Sequence, residues 1–351
     1  MKLIELHILQ SFPVTCLNRD DVGAPKSAVF GGAPRARVSS QCWKRAIRQL
    51  AAENRPDIFA GKRGHFITTP LQSALEKEGV EPLKAQTIAE EIATFLGDQD
   101  KKYKQGHKTS VALYLSPNEL EGIAKVAAQG VRENGKAGVK KGSLKKAIHG
   151  IPPKDLADIA IFGRMVANDH SLMIEGAGLF SHALSTHRVN NDIDFFSAVD
   201  DLKPEEAEGA GHIGTLEFNS ACYYRYIGIN LDLLRNADHL GHFADGDIKA
   251  VLETFLNACI LAVPVARRNS MLGHNPPAFV LGLVRTGQPL SLVNAFEKPI
   301  RSHKGYIEPS IGAMEKHYIN LKKSYNLKAD KETRIPDKDL NAFCEGILNH
   351  V

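Results

Sequence analysis

The sequence predicts an α+β fold that begins with a strand, a long basic loop and an amphipathic helix. Between Leu3 and Phe12, apolar Ile4, Leu6 and Ile8 alternate with polar side chains, which is the period-two pattern of a strand. Glycines and prolines then punctuate a long loop, and a helical pattern starts near Ser39. This order is typical of the first elements of a ferredoxin-like or RRM-like domain, and other folds share it.

The first helix is predicted to carry an apolar face and a cationic face. Trp43, Ala46, Ile47, Leu50 and Ala51 repeat at helical spacing, and Ser39 or Ser40 can cap the first turn. Gln41, Lys44, Arg45 and Arg48 form a second stripe. Residues 22–52 hold six Lys or Arg and no Asp or Glu, although the whole chain has a net charge of only +4. A basic loop that leads into a helix N-terminus favours phosphate binding, and a solvated basic face is the alternative.

Residues 55–155 are predicted to form a mostly helical insertion. Helices are expected at residues 71–77 and 83–96, and the capping box Ser116–Glu119 starts another that runs to about Gln129. The stretch 130–146 carries six cations and is predicted to be an exposed loop, solvated or in contact with nucleic acid.

The second half of the chain returns to strands. Strands are predicted at residues 159–166, 222–231 and 277–284, and helices at 247–261, 314–327 and 340–348. Residues 189–218 have apolar, aromatic arms around an acidic, glycine-rich centre, which indicates a protruding β-hairpin, here called the thumb.

The composition, 43% hydrophobic and 24% charged, fits a globular protein. No signal peptide and no apolar run of about 20 residues is apparent, so a membrane location is not expected. Five widely spaced cysteines suggest neither a disulfide framework nor a metal site, and a reducing cytoplasm is the default. No cofactor motif is found, so we expect neither a cofactor nor a resident metal.

Three other patterns leave alternatives open. Asp20 and Asp21 beside Arg19 could hold Mg²⁺ at a phosphodiester or simply anchor the loop. His7 and His187 could perform acid–base cleavage of RNA or be structural. Aromatic side chains could stack on bases or belong to the core; these are Phe195, Phe196, Tyr223, Tyr224 and Tyr226.

Several separated motifs together resemble one known family. They are residues 16–21 (CLNRDD), 30–32 (FGG), 37–41 (RVSSQ), 44–46 (KRA), 163–165 (GRM), 186–187 (TH), 192–194 (DID), 196, 198–201 (AVDD), 214–215 (GT), 217–218 (EF), 224–226 (YRY), 294–298 (NAFEK) and 309–311 (PSI). In this order they resemble the CasC, or Cas-seven, family, the backbone subunits of type I-E CRISPR surveillance complexes of the Cascade type.

The resemblance implies a RAMP-type modified RRM palm, formed by residues 1–54 and 156–351. Residues 55–155 would be the helical insertion, and residues 189–218 the thumb within the palm. It also implies a non-catalytic subunit that polymerises head to tail along a CRISPR guide RNA and presents that RNA to target DNA. Further partners would be the large, small, cap and RNA-processing subunits of the complex.

The resemblance also implies roles for individual residues. The set predicted to contact RNA, from the basic segment and the matched motifs together, is Arg19, Lys26, Arg35, Arg37, Ser39, Ser40, Gln41, Lys44, Arg45, Arg48 and Met165. The thumb residues expected to displace a base are Ile193, Phe195, Phe196 and Ser197. The runner-up function is a metal-dependent ribonuclease like the backbone subunits of type III systems, using Asp20 or Asp21.

Overall fold

The computed structural model describes residues 1–134, 155–166, 168–198 and 212–351, together with residues 142 and 148. These divide into two compact units. The first comprises residues 1–50, 179–228 and 255–351, and the second comprises residues 51–178 and 229–254. The predicted basic stretch 130–146 and the centre of the predicted thumb lie largely outside the described residues.

An antiparallel sheet organises the first unit. Its strands are β1 (Lys2–Thr15), β2 (Ser27–Phe30), β3 (Ala33–Val38), β6 (Gly178–Phe180), β7 (Ala183–Ser185), β8 (Asp192–Ala198), β9 (His212–Asn230), β10 (Phe279–Thr286) and β11 (Lys331–Ile335). Among the described residues the order is β11-β10-β1-β9-β7-β3-β2, with β6 and β8 also pairing with β9. The mixed α+β class predicted from the sequence is confirmed.

Strand β1 lies near the centre of this sheet and is buried more completely than its alternating pattern predicts. The polar residues Glu5, His7 and Gln10 are all buried. Glu5 accepts hydrogen bonds from the Tyr226 hydroxyl (2.7 Å) and from the main chain of Leu290 (2.7 Å), and it pairs with Arg285. A buried carboxylate is tolerated when its oxygens are paired in this way.

Helices cover both faces of the sheet. One face packs Leu9, Tyr224 and Tyr226 against Met314 and Tyr318 of helix α8 (Ile307–Tyr325). Alternate residues of a strand point to opposite sides, so Tyr223 of β9 faces the other way. There its ring lies 5.9 Å from that of Phe12, which in turn lies 6.5 Å from the ring of Trp43 in helix α1 (Ser40–Asn54).

The predicted long loop after β1 contains a β-hairpin. Strands β2 and β3 pair from Ser27↔Ala36 to Phe30↔Ala33, and Gly31 and Gly32 turn the chain with positive φ angles of 58° and 70°. The glycine-containing turn is a typical hairpin signal, but prolines on both sides hid the short strands.

The second unit is mostly helical in its described part. Its elements are β4 (Lys62–Gly64), α2 (Thr68–Lys77), α3 (Pro82–Leu96), β5 (Leu113–Leu115), α4 (Pro117–Asn134), α5 (Ala157–Phe162) and α6 (Leu231–Leu234). The predicted capping box is present, because the main-chain N–H of Ser116 donates to Glu119 (2.9 Å) and that of Glu119 to Ser116 (3.2 Å). Helices α2, α3 and α4 share one apolar core.

The strand predicted at residues 159–166 is wrong. Residues 157–162 form α5, and the helix ends at Gly163, whose φ of 82° favours glycine. A short apolar run fits a buried helix as well as a buried strand, so its periodicity could not decide.

Of the three helices predicted in the C-terminal half of the chain, α8 begins at Ile307 rather than at the predicted residue 314, and the other two match the predicted ones closely. Helix α7 spans Asp245–Leu261, and the C-terminal helix α9 spans Leu340–Leu348. Within the described ranges, no helix combines the length and apolar character that crossing a bilayer requires.

Candidate nucleic-acid interface

The start of α1 is fixed to the loop that precedes it. Ser39 caps the helix, since its hydroxyl accepts a hydrogen bond from the main-chain N–H of Cys42 (3.3 Å). The side chain of Asn18 accepts from the main-chain N–H of Ser39 (2.9 Å), and the main-chain oxygen of Asn18 accepts from Lys26 (2.9 Å). Ser39 itself is buried, so its role in this structure is to begin the helix.

Cations gather around this helix N-terminus. The main chain of Arg37 donates to the Lys26 carbonyl (2.9 Å), so these two residues extend the hairpin beside α1. The exposed His182 accepts the main-chain N–H of Ser40 through Nδ1 (3.0 Å). Desolvation and then the charges of Arg37 and Lys26 lower the pKa of His182, which is consistent with an Nδ1 that accepts rather than donates.

The predicted cationic stripe of α1 lies on a side of the helix that is partly open to solvent. Gln41 and Arg45 are exposed, whereas Lys44 and Arg48 are half-buried. The Lys44 ammonium lies 5.0 Å from the ring centre of Phe180, and burial lowers the pKa of Lys44. We call Lys26, Arg37, Lys44, Arg45 and Arg48 the basic helix surface.

Beneath this surface lies a buried cation that the sequence did not single out. The guanidinium carbon of Arg225 lies 3.9 Å from the ring centre of Trp43, and one of its nitrogens donates to the Ile260 carbonyl (3.3 Å). Burial lowers the pKa of Arg225 to about 9. The contacts of Trp43 with Arg225 and Phe12 connect α1 to strands β9 and β1.

The assignment of Arg35 to the RNA-contacting set is corrected by its position. Arg35 is 0% exposed. Its guanidinium donates to the carbonyls of Phe30 (3.2 Å), Ser185 (2.9 Å), Phe296 (2.7 Å) and Glu297 (3.2 Å). All three guanidinium nitrogens are used inside the protein, so Arg35 holds the hairpin in place and offers nothing to a ligand.

Arg19 and the neighbouring carboxylates lie on an exposed loop. Arg19 forms an isolated bridge with Pro25, and its side chain is exposed. One Asp20 oxygen accepts the main-chain N–H groups of Val22 (3.0 Å) and Ala24 (2.9 Å). This arrangement makes Asp20 a turn-stabilising residue.

The two histidines considered for acid–base chemistry are both buried. His7 approaches the Tyr224 hydroxyl (3.0 Å), and burial lowers its pKa to about 3. His187 stacks on Tyr306 with ring centres 3.7 Å apart, and its Nε2 accepts from the main chain of Cys222 (3.2 Å). Neither imidazole is presented to solvent, so both serve the fold. Within the described ranges, no cluster of three or more His, Cys, Asp or Glu side chains suited to a metal ion is found.

The base of the predicted thumb is an antiparallel hairpin. Strand β8 pairs with β9 from Asp192↔Phe218 to Ala198↔His212. Ile193, Phe195 and Ser197 occupy one face of β8 by alternation, and Phe195 is 74% exposed. Phe196 faces the other side and covers Gly214, where an added Cβ would lie 2.5 Å from the ring. The tyrosines 223, 224 and 226, by contrast, are buried core residues.

Met165 belongs to the second unit and is presented by a braced loop. It is 72% exposed, but the preceding Arg164 is buried and pairs with Glu119 at 2.5 Å. The main chain of Arg164 exchanges two hydrogen bonds of 2.9 Å with Ile174, and its side chain donates to Leu172 (2.9 Å). The Glu119 that holds Arg164 is the same carboxylate that caps α4.

Comparisons with known proteins agree with this architecture. A chain of a "CRISPR RNA-guided surveillance complex, pre-nicking" is 27% identical, with a TM-score of 0.83 over 97% of this chain and 95% of that one. A chain of another "CRISPR RNA-guided surveillance complex" is 21% identical, with a TM-score of 0.65 over 99% of each chain, and shows the shared fold. No curated protein matches significantly. The model of the CRISPR-associated family described as CT1975-like proteins matches residues 4–345, and the chain therefore belongs to that family.

Proposed function

We propose that this protein is a guide-RNA-binding backbone subunit of a Cascade-type CRISPR surveillance complex. The observation that carries the proposal is the basic helix surface. It places Lys26 and Arg37 beside the start of a capped helix and three further cations along that helix, inside a fold shared with subunits of such complexes. The helix dipole and the cationic side chains both favour phosphate there.

The finer assignment rests on the matched motifs. The type I-E resemblance implies head-to-tail copies along one guide RNA, with the thumb of each copy reaching a neighbour. Exposed Ile193 and Phe195 on one face of β8 suit a role in displacing a base, because aromatic faces stack on any base. Exposed Met165 on its braced loop suits a wedge beside the guide bases.

The proposed division of labour follows from what a guide must do. A guide RNA carries any spacer sequence, so the protein should hold phosphates and sugars and leave base edges free for target DNA. Lys26, Arg37 and the cations of α1 would supply those sequence-independent contacts. The other proposed partners are further copies of the chain and the large, small, cap and RNA-processing subunits, in a cytoplasmic particle.

The Lys44→Ala variant tests the proposal. We expect weaker binding to single-stranded RNAs of unrelated sequence by a similar factor, and a slope of log K against log[salt] reduced by about 0.7, the value for one lost phosphate contact. Fluorescence anisotropy at several salt concentrations measures both quantities. Lys316→Ala, which removes an exposed cation from α8, is the matched control and should leave the slope unchanged. A loss of affinity that depends on the RNA sequence would contradict binding through the phosphates.

We also propose that the subunit is non-catalytic. Asp20 is already committed to two main-chain amides, and both His7 and His187 are buried. Guide RNA purified with the complex should therefore remain intact after addition of Mg²⁺. Cleavage that disappears in an Asp21→Asn variant would instead support the metal-dependent ribonuclease.

A further inference from the structure

A depression of about 690 Å³ lies in the first unit, away from the start of α1. Three segments line it: the turn between β2 and β3 at Gly31 and Gly32, the stretch around Arg188 and Asn190, and residues 299–306 before α8. We call this depression the turn basin. Neither the motifs nor the family resemblance assigned a role to its basic residues.

The walls of the turn basin are held in place by the fold. Gly31 packs so tightly on the Glu297 carbonyl that an added Cβ would lie 1.6 Å from its oxygen. The main chain of Ile300 donates to Thr186 (3.0 Å), and that of Val189 donates to Pro34 (3.1 Å). The main-chain walls of the basin are therefore preformed, so a ligand would not have to order them.

The ionised side chains that line the turn basin are arginines. Among the residues that the structure describes, its lining includes Arg188, Arg301 and His303 and no carboxylate. Lys298 and Lys304 flank the third wall in the sequence, as does Glu297, and all three are exposed. Arginine presents a planar fork that matches a phosphate in two-point contacts. A preformed concave surface with two arginines and an exposed glycine turn thus suits phosphate groups.

The hairpin β2–β3 joins the turn basin to the basic helix surface. Lys26 and Arg37 stand at the open end of the hairpin, and Gly31 and Gly32 form its closed end. Gly31 follows Lys26 by five positions along an extended strand, a distance of about 16 Å. A ligand that spans both places must be an extended polyanion, because one isolated phosphate reaches only one of them.

We propose that the turn basin is a second phosphate-binding site, which holds the sugar–phosphate backbone of a single nucleic-acid strand. This inference rests on the proposed function in that the ligand is a nucleic acid, but it concerns residues outside the basic helix surface. The strand is either a continuation of the guide RNA along the hairpin or a DNA strand, since both carry the same phosphodiester groups.

The test uses the full chain and a double variant, Arg188→Gln with Arg301→Gln. Fluorescence anisotropy at several salt concentrations measures binding of a labelled single-stranded RNA and of a DNA of the same sequence. We expect the salt slope to fall by about 1.4 for the strand that uses the basin, which corresponds to two lost contacts. Lys316→Gln with Lys323→Gln, two exposed cations of α8, is the matched control and should leave the slope unchanged.

A second arm separates the two sources of the strand. The protein is first saturated with unlabelled RNA and then titrated with a labelled DNA of non-complementary sequence. DNA binding that persists, and that requires Arg188 and Arg301, identifies a DNA site; DNA binding that is lost indicates that one RNA strand occupies both places. The charge-conserving variant with lysine at both positions should retain the salt slope, which separates charge from misfolding.

The outcomes also separate this inference from the proposed function. Suppose that the glutamine variant binds both strands with an unchanged salt slope while Lys44→Ala lowers that slope. The proposal for the turn basin is then overturned, and the proposal for the basic helix surface is retained. If neither variant changes the slope, both proposals fail. Binding of poly-glutamate as tight as that of nucleic acid would reduce the basin to a general anion surface and overturn its assignment.

Discussion

The guanidinium of Arg35 connects the β2–β3 hairpin to two other parts of the sheet unit through four carbonyls. Hydrogen bonds from a charged donor are worth about 1.5–3 kcal/mol each, and a buried acceptor that loses its donor pays a desolvation cost. Arg35→Ala should therefore lower the free energy of unfolding by about 3 kcal/mol, measured by urea denaturation. Arg37→Ala is the control: half-buried, with one side-chain bond to Ser27, it should cost less than about 1 kcal/mol.

His7 gives the protein a predictable response to pH. Burial, and to a smaller extent the charge of Arg285, lowers its pKa from 6.5 to about 3. In the unfolded chain, His7 thus binds a proton below about pH 6.5. In the folded chain, His7 binds that proton only near pH 3. The stability from a neutral His7 is complete above pH 6.5 and decreases as the pH falls through that window, by up to about 1.4 kcal/mol per pH unit.

Urea denaturation at pH 7.5 and pH 5.5 checks this expectation. His7→Gln should flatten the dependence of stability on pH, and His350→Gln, at an exposed position, should not. An equally steep dependence in both variants would mean that other groups, including His187, whose pKa burial also lowers, dominate the response.

At the scale of elements, one carboxylate serves both a helix and a loop. Glu119 caps α4 and pairs with Arg164, which holds the loop that carries Met165. Removal of one partner of a buried ion pair costs about 3–5 kcal/mol. Glu119→Ala should lower the free energy of unfolding by that amount, whereas Glu121→Ala, on the exposed side of the same helix, should change it by less than about 0.5 kcal/mol.

A spectroscopic measurement separates positioning of Met165 from simple loss of stability. In protein labelled at the methionine methyl carbons, the Met165 signal of the Glu119→Ala variant should move toward the random-coil position under folding conditions. Met314, which is buried in the first unit, supplies the reference signal. An unchanged Met165 signal would show that the loop does not need the ion pair.

The sequence predicted those elements whose signals are local. The capping box at Ser116 and the amphipathic pattern of α1 located two helices, because capping and periodicity depend on neighbouring residues. Long-range partners had no such signal. Nothing in the sequence indicates that Arg225 stacks on Trp43. Nor does it indicate that Arg35 faces four carbonyls while Arg45, in the same basic segment, is exposed.

The same limit applied to the candidate site. The basic helix surface could be predicted because its cations lie within one short segment. His182 and the turn basin could not, since each joins residues more than 140 positions apart in the chain. A cluster of Lys298, Arg301, His303 and Lys304 was visible in the sequence, and it would have been the one local signal for the basin.

At the scale of the whole molecule, the proposed backbone role predicts a particle that grows with its RNA. Because a head-to-tail contact does not close, the number of protein copies per RNA should rise in steps as the RNA is lengthened. Mass photometry of complexes assembled on RNAs of increasing length measures the steps. Phe195→Ala, at an exposed thumb position, should weaken the assembly without changing the stability of the chain. A constant stoichiometry at every RNA length would argue against a filament.

Strand β9 runs without interruption from the base of the thumb into the core of the sheet. Residues 212–218 pair with β8, and residues 221–229 are buried. Strand β9 therefore belongs to both the core of the sheet and the thumb. The pleat and twist of its core part set the direction of its thumb part. Insertions between β8 and β9 would change the length of the thumb but not its direction. By contrast, a single residue inserted within β9 would shift the register between the thumb and the core. Phe195 and its neighbours on β8 would then face a different direction relative to the core.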